Sequence, residues 1–148
     1  MNDCLACDIA SGVSPVPGGV LHRTTHWIVD HSIGPLGVGT LIVKPERHVV
    51  HIADLSDDEA AELGPLLRDA ARVTTELTAP DQVYISLWSH AGGVPGHIHF
   101  VVQPVTAETI AKFGRGPAMH VAMFDADEYP DPADVDAFAV KARPRFPS

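Results

Sequence analysis

The run GHIHFVVQP at residues 96–104 constrains the fold more than any other part of the chain. It is rich in residues that favour β-strands, and side chains along a strand alternate between its two faces. One face would therefore carry His97, His99, Val101 and Gln103, and the other would carry Ile98, Phe100 and Val102. We predict a strand with one face in the core and the other forming a polar site.

Length and composition limit the number of domains and the class of partner. A chain of 148 residues that is 45% hydrophobic can bury one core. We predict one domain over 1–148, with a core at 1–104 and a C-terminal extension at 105–148. No apolar run approaches the roughly 20 residues that span a bilayer, and the N-terminus lacks the pattern of a signal peptide, so we expect no membrane partner and a cytoplasmic location. The formal net charge of −9 argues against a nucleic-acid partner.

The order of strand-like and helix-like segments predicts an α+β fold. We expect an antiparallel sheet of about five strands, one long helix packed on it, and a short helical extension. The simplest assembly is a meander with strands near 19–23, 26–30, 40–44, 82–88 and 96–104. A short turn or helix is expected over the segment closed by Gly12, and short helices near 106–113 and from Pro132. Irregular chain is expected over 89–96 and over the glycine- and proline-rich stretch that follows 113.

The strongest helix signal is the capping box that begins at Ser56 and ends at Glu59, ahead of leucine, alanine and valine residues at helical spacing. Pro65 cannot donate a hydrogen bond to the carbonyl of Ala61, so we expect a kink or a late start there. The helix should end near 78–80.

The Cys-x-x-Cys spacing of Cys4 and Cys7 indicates a metal site. In a reducing compartment this pair argues against a structural disulfide and favours a metal or redox role, and two thiolates supply half of a tetrahedral zinc site. Two buried thiols without a metal are the alternative. The other two ligands are open on spacing alone; the candidates are His48, His97, His51, His22, His26 and His90.

The loop AGGVPG before His97 contains glycines that let backbone N–H groups approach an anion closely. Gly92 and Gly93 are therefore candidate substrate-binding residues, although a glycine-rich turn is usually only a turn. His90, beside this loop, is a candidate general acid or a solvated loop histidine.

Over most of its length the chain resembles the histidine triad (HIT) nucleotide hydrolases and transferases. Four stretches carry the resemblance: CLACDIASG, WIVDHSIGPLGVGTLIVKPERH, LSDDEAAELGPLL and GHIHFVVQP. The family signature is His-x-His-x-His followed by two apolar residues. Aligned on Pro104, it makes His97 the first histidine and His99 the middle one, with Val101 in place of the third. Gln103, two residues further on the same strand face, is a candidate replacement.

The resemblance implies roles for several residues. It implies a structural zinc ion held by Cys4, Cys7, His48 and His97. It also implies a nucleotide-type substrate whose ribose contacts Asp30 and whose phosphate contacts the segment from Gly92 and Gly93 to His97, and a homodimer formed through the sheet. Gly93 and Val94 depart from the family, which has Gln and a Ser or Thr in this loop, and two residues are inserted between Asp30 and the segment that contains His48.

The first hypothesis for function is a nucleotide hydrolase or nucleotidyl transferase. The unprotonated imidazole of His99 would attack the α-phosphorus of a dinucleoside polyphosphate, nucleoside phosphoramidate or nucleotide sugar, and water or another acceptor would resolve the nucleotidyl-histidine. The candidate catalytic residues are His99, His90 and Gln103. The second hypothesis is a nucleotide-binding or regulatory protein with little catalysis, motivated by Val101. A catalytic zinc ion is less favoured, since four ligands leave no open position.

Overall fold

The computed structural model describes residues 4–148, which form a five-stranded antiparallel sheet and five α-helices. The strands are β1 (Val20–Arg23), β2 (Trp27–His31), β3 (Leu41–Pro45), β4 (Gln82–Ala91) and β5 (Val94–Val105). The helices are α1 (Leu5–Ala10), α2 (Asp57–Thr78), α3 (Ala107–Phe113), α4 (Pro117–Ala126) and α5 (Pro132–Ala142). Short 3-10 turns cover Ile52–Asp54 and Arg143–Arg145. The predicted α+β class and the five strands are confirmed.

The strand order in the sheet is β1-β2-β3-β5-β4, so the predicted meander is wrong. β3 pairs with β5, and β4 lies at the edge. The burial of the two strands explains the order. β5 is buried at nearly every position from His97 onward, whereas β4 has exposed positions along its length. A strand that is buried on both faces belongs inside a sheet, and β5 takes that place beside β3.

The expected irregular loop over 89–96 is instead the end of a tight hairpin. β4 continues to Ala91, β5 begins at Val94, and only Gly92 and Gly93 connect them. Both glycines have positive φ, 59° and 81°. Two-residue hairpin turns that match the twist of the strands require this backbone, which glycine adopts without steric cost.

Helix α2 begins with the predicted capping box. Ser56 Oγ accepts a hydrogen bond from Glu59 N at 3.1 Å, and Glu59 Oε1 accepts one from Ser56 N at 2.8 Å. The helix then runs to Thr78 without a break, so the expected late start at Pro65 is wrong. Pro65 and Ala61 are both exposed, and water can reach the carbonyl that Pro65 leaves without its helical donor.

The two faces of the sheet have different coverings. Helices α2 and α5 pack on one face, where Ala70 and Phe138 join Phe100 and Val102 in the main core. The opposite face is covered in part by α4, whose Met119 and Met123 pack with Leu36, Val101 and Val105. The predicted alternation along β5 is therefore confirmed.

Helix α4 lies in the stretch that was expected to be irregular. The glycines there flank the helix, and Pro117 occupies its first turn, where a missing N–H costs no helical hydrogen bond. No helix within 4–148 is both long enough and apolar enough to cross a bilayer.

Candidate functional site

A cavity of about 630 Å³ opens on the face of the sheet opposite α2. Its wall includes Asp30 from β2, Lys44 from β3, Trp88 from β4, His99 from β5 and Phe124 from α4. Cys4, His48 and His97 also line it. The cavity therefore borders both the cysteine and histidine cluster and α4.

Four potential metal ligands lie together beside this cavity. The Sγ atoms of Cys4 and Cys7 and one ring nitrogen each of His48 and His97 all lie within 4.8 Å of one another. Cys7 Sγ is 3.3 Å from His48 Nδ1 and 3.5 Å from His97 Nδ1, and Cys4 Sγ is 3.5 Å from His97 Nδ1. Zinc bonds of about 2.3 Å to sulfur and 2.0 Å to nitrogen at tetrahedral angles place those two atoms about 3.5 Å apart. The donor set and its spacing fit a tetrahedral metal ion.

The local structure aims these ligands at a common point. Cys4 is the N-cap of α1, and its Sγ accepts a hydrogen bond from Cys7 N at 3.4 Å. His97 Nε2 lies 2.8 Å from Pro45 O, so Nε2 carries the proton and donates it to the carbonyl. The Nδ1 lone pair then faces the thiols, the arrangement typical of a histidine ligand with a carbonyl behind it. Burial lowers the pKa of His97, which favours the neutral ring that ligation needs.

Two of the other candidate histidines have different partners. His22 stacks on Phe146 with ring centroids 4.9 Å apart. His26 Nδ1 is 3.0 Å from Glu62 Oε1. The folded chain thus selects His48 and His97 from the set that spacing left open.

His99 occupies the same face of β5 as His97 and also lines the cavity. Its Nδ1 lies 3.3 Å from His97 O, and with Nδ1 as donor the lone pair is on Nε2. The ring of Trp88 meets it nearly edge to face at a centroid distance of 6.2 Å. Burial lowers the pKa of His99 and so favours the neutral imidazole. A neutral imidazole held by one carbonyl is suited to nucleophilic attack.

Asp30 faces the cavity from β2 and is paired with a residue that the sequence analysis did not single out. The Lys44 ammonium donates a hydrogen bond to Asp30 Oδ2, and the two side chains are only 3% and 2% exposed. Burial raises the pKa of Asp30, and Lys44 counteracts the rise. The available signal was a lysine within the otherwise apolar run of the third strand, and the face on which it lies follows only from the pairing of β3 with β5.

Gln103 is not among the described residues that line the cavity. Its Nε2 donates hydrogen bonds to Leu36 O at 3.0 Å and to Met123 Sδ at 3.2 Å, and its Oε1 is 2.6 Å from His120 Nε2. Gln103 therefore links the loop after β2 to α4. Val101, between His99 and Gln103, is 1% exposed and packs in the apolar cluster beneath α4.

The remaining predicted residues lie at the hairpin. Among residues 4–148, the cavity wall includes Ala91, Val94 and Gly96, but His90, Gly92 and Gly93 are not part of it. His90 pairs with Pro95 across the hairpin, next to the turn formed by the two glycines. The structure thus brings together Asp30, His97 and His99 and leaves the tip of the hairpin outside the wall.

Several solved structures of other proteins have a similar fold. No protein-family model matches the sequence, and no curated protein matches it. A hypothetical histidine triad nucleotide-binding protein from Sulfolobus tokodaii is similar with a TM-score of 0.72 at 15% identity, covering 96% of this chain and 91% of the other. A Hit-like protein from Bartonella henselae, described as involved in cell-cycle regulation, gives 0.73 at 14% identity over 99% and 98%. A Zn-bound histidine triad family protein from Mycobacterium smegmatis gives 0.64 at 20% identity over 94% of both chains.

Proposed function

Because this chain has the histidine triad fold, we propose that it is a nucleotide hydrolase or nucleotidyl transferase with His99 as its nucleophile. The observation that carries the proposal is the position of His99 in the wall of the cavity, which the buried carboxylate of Asp30 also lines. The cavity volume of about 630 Å³ falls within the range of about 300–1,000 Å³ that is usual for small-molecule sites.

The proposed reaction has two displacements at phosphorus. The lone pair on His99 Nε2 forms a bond to the α-phosphorus, and the bond from phosphorus to the leaving group breaks with its electron pair. Water or another acceptor then attacks the same phosphorus, breaks the N–P bond and returns the imidazole. The suitable substrates are dinucleoside polyphosphates, nucleoside phosphoramidates and nucleotide sugars.

Asp30 and the aromatic side chains would orient the nucleotide. A carboxylate accepts hydrogen bonds from both hydroxyls of a ribose, and Asp30 presents one at the cavity wall. Trp88 and Phe124, whose ring centroids are 5.6 Å apart, form an aromatic wall on the side of α4. This combination of an apolar wall and one carboxylate is typical of a site that binds a nucleoside.

Zinc is the metal that the two thiols and two imidazoles fit best. Cys4, Cys7, His48 and His97 would hold it as a closed structural site. Bound there, the ion would join α1 to the strand that carries His99 and fix the position of that strand. The homodimer and the cytoplasmic location that were expected from the sequence remain predictions.

Turnover of a nucleotide panel tests the proposed reaction. Zinc-loaded wild type, His99→Ala and the control His51→Ala, which changes an exposed histidine outside the cavity, would be incubated with diadenosine polyphosphates, nucleoside phosphoramidates and nucleotide sugars. We expect the wild type and the control to cleave at least one compound, and His99→Ala to lose that activity. Absence of cleavage by the wild type across the panel would contradict the enzyme hypothesis.

A nucleotide-binding or regulatory role is the second candidate. The observation that favours it is Val101, which places an apolar side chain where the family resemblance puts a third histidine. A protein of this kind would bind nucleotides in the same cavity and show no turnover of the panel.

A further inference from the structure

We infer that Lys44 is the phosphate-binding side chain of the cavity, and that it is released from Asp30 when a nucleotide binds. The inference rests on the proposed function, since it assigns a role within the same nucleotide site. It is carried by the strand register, the charges of the cavity wall and the buried pair that Lys44 forms.

The register of the sheet places Lys44 beside His99. Ile42 pairs with Val101 and Val43 with Phe100 across β3 and β5. Continued by one residue in the antiparallel sense, this register sets Lys44 opposite His99. Side chains that face each other in this way start from Cβ atoms about 5 Å apart on the same face of the sheet. A phosphorus in contact with His99 Nε2 would therefore lie within reach of the Lys44 ammonium.

Lys44 supplies the positive charge that an anion in the cavity would contact. In the described part of the chain, Lys44 is the one lysine or arginine that lines the cavity of this protein of net charge −9. Its side chain is 3% exposed, and the carboxylate beside it is 2% exposed. Shielding from water strengthens the interaction of a buried ammonium with a phosphate oxygen.

The pair with Asp30 explains how two opposite charges are kept in the cavity without a ligand. Removal of one partner from a buried ion pair is costly because the other charge is left uncompensated. A nucleotide supplies replacements for both partners. Its ribose hydroxyls can donate to the Asp30 carboxylate, and its phosphate oxygens can accept from Lys44. The pair would thus favour a ligand that carries a diol and a phosphate over one that carries only a diol.

The other neighbours of His99 do not supply this charge, since Trp88 pairs with His99 on the β4 side. Val101 follows on the same strand face and is enclosed by Leu36, Met119 and Met123. Among the described residues of the cavity wall, the only lysine or arginine next to His99 is therefore Lys44 of β3.

The test compares a nucleotide with its nucleoside and with a phosphate compound that lacks the nucleoside. Calorimetric affinities for AMP, adenosine and inorganic pyrophosphate would be measured with zinc-loaded wild type, Lys44→Met and the control Lys141→Met, which removes an exposed lysine of α5. We expect Lys44→Met to weaken AMP and pyrophosphate binding on the order of 10- to 100-fold, with adenosine binding unchanged within about threefold. Lys141→Met should bind all three ligands like the wild type.

Equal weakening of AMP and adenosine, or no weakening of AMP, would overturn the role of Lys44. Absence of pyrophosphate and AMP binding in the wild type would overturn it too. Binding of pyrophosphate that depends on Lys44, with no affinity for either nucleotide or nucleoside, would support the role of Lys44 and overturn the proposed function instead.

A second pair of variants keeps the test valid if Lys44→Met fails to fold with Asp30 unpaired. Asp30→Asn, whose amide oxygen can still accept a hydrogen bond from the Lys44 ammonium, and the double variant Asp30→Asn/Lys44→Met differ only in the lysine and leave no buried carboxylate alone. We expect the ratio of AMP to adenosine affinity to fall in the double variant relative to Asp30→Asn. An unchanged ratio would overturn the inference.

Discussion

His97 and His99 lie two residues apart on one strand face and yet contact different groups. His97 turns its Nδ1 toward the thiols because its Nε2 donates to Pro45 O at 2.8 Å. His99 hydrogen-bonds through Nδ1 to the backbone and faces the cavity. On each ring, one hydrogen bond occupies one nitrogen. The other nitrogen can then act, Nδ1 of His97 toward a metal ion and Nε2 of His99 toward a substrate.

Metal content separates the two histidines. His97→Ala removes one of the four proposed ligands, and we expect its zinc affinity to fall by more than the roughly 10- to 100-fold that loss of an outer partner costs. His99→Ala should retain one zinc ion per chain. Chelator competition on both variants measures this. Unchanged zinc affinity in His97→Ala would show that the ion is held by other groups and would favour a catalytic metal.

At the scale of elements, the carboxylate of Glu59 stabilises the start of α2 through two interactions. Glu59 closes the capping box, and it also pairs with Arg47 at 2.8 Å while it is nearly buried. The hydrogen bond from Arg47 is the main reason that the pKa of Glu59 falls from 4.5 to about 2. Because the pKa is lower in the folded protein, the charged form contributes stability above pH 4.5, and this contribution is lost as the pH falls toward 2.

Glu59→Gln should therefore have a pH-dependent cost. We expect it to lower the free energy of unfolding by about 1–3 kcal/mol at pH 7, and we expect the difference from the wild type to shrink steadily below pH 4.5. Urea unfolding at several pH values measures the difference, with Asp58→Asn as the exposed control in the same helical turn. A cost of equal size at pH 7 and pH 3 would contradict the assignment to the Arg47 pair.

Gln103 joins two elements over the sheet and gives the third prediction. It donates to Leu36 O and accepts from His120, which ties the loop after β2 to α4. Gln103→Leu should lower the free energy of unfolding by about 1–3 kcal/mol, with the kcat of the proposed reaction within a few fold of wild type. Thermal unfolding and turnover measure both effects. A large loss of kcat at unchanged stability would return Gln103 to the catalytic role first considered for it.

At the scale of the whole molecule, the proposed metal site connects the N-terminal helix to the sheet. Its ligands come from α1, from the segment after β3 and from β5, so a bound ion ties together parts of the chain that are far apart in sequence. A ligand that binds only the folded state stabilises it. Removal of zinc with a chelator should lower the Tm of the wild type and leave the Tm of a Cys4→Ser/Cys7→Ser variant almost unchanged. Equal chelator effects on both proteins would contradict the site.

The parts of this molecule that follow from local patterns were predictable. The alternation along β5 and the capping box at Ser56 depend on neighbours within a few residues, and both are confirmed. The family resemblance supplied the set of metal-binding candidates that the fold brings together.

The parts that depend on distant neighbours were not predictable. The pairing of β3 with β5 is a contact between segments about 60 residues apart, and it brings Lys44 and His99 together just beyond the last pair of the ladder. The continuous helix through Pro65 depends on which side of α2 is solvated. Helix α4 is stabilised by packing of Met119 and Met123 on the sheet, which glycine and proline content alone does not reveal.

Detection of the covalent intermediate tests the central claim most directly. Zinc-loaded wild type and His99→Ala would be mixed with each compound of the nucleotide panel, quenched within one turnover under conditions that preserve N–P bonds, and mapped by peptide mass spectrometry. The account predicts one nucleotidyl group on His99 of the wild type and none on the variant. Nucleotide cleavage at the wild-type rate by His99→Ala, or an adduct on another residue, would contradict it.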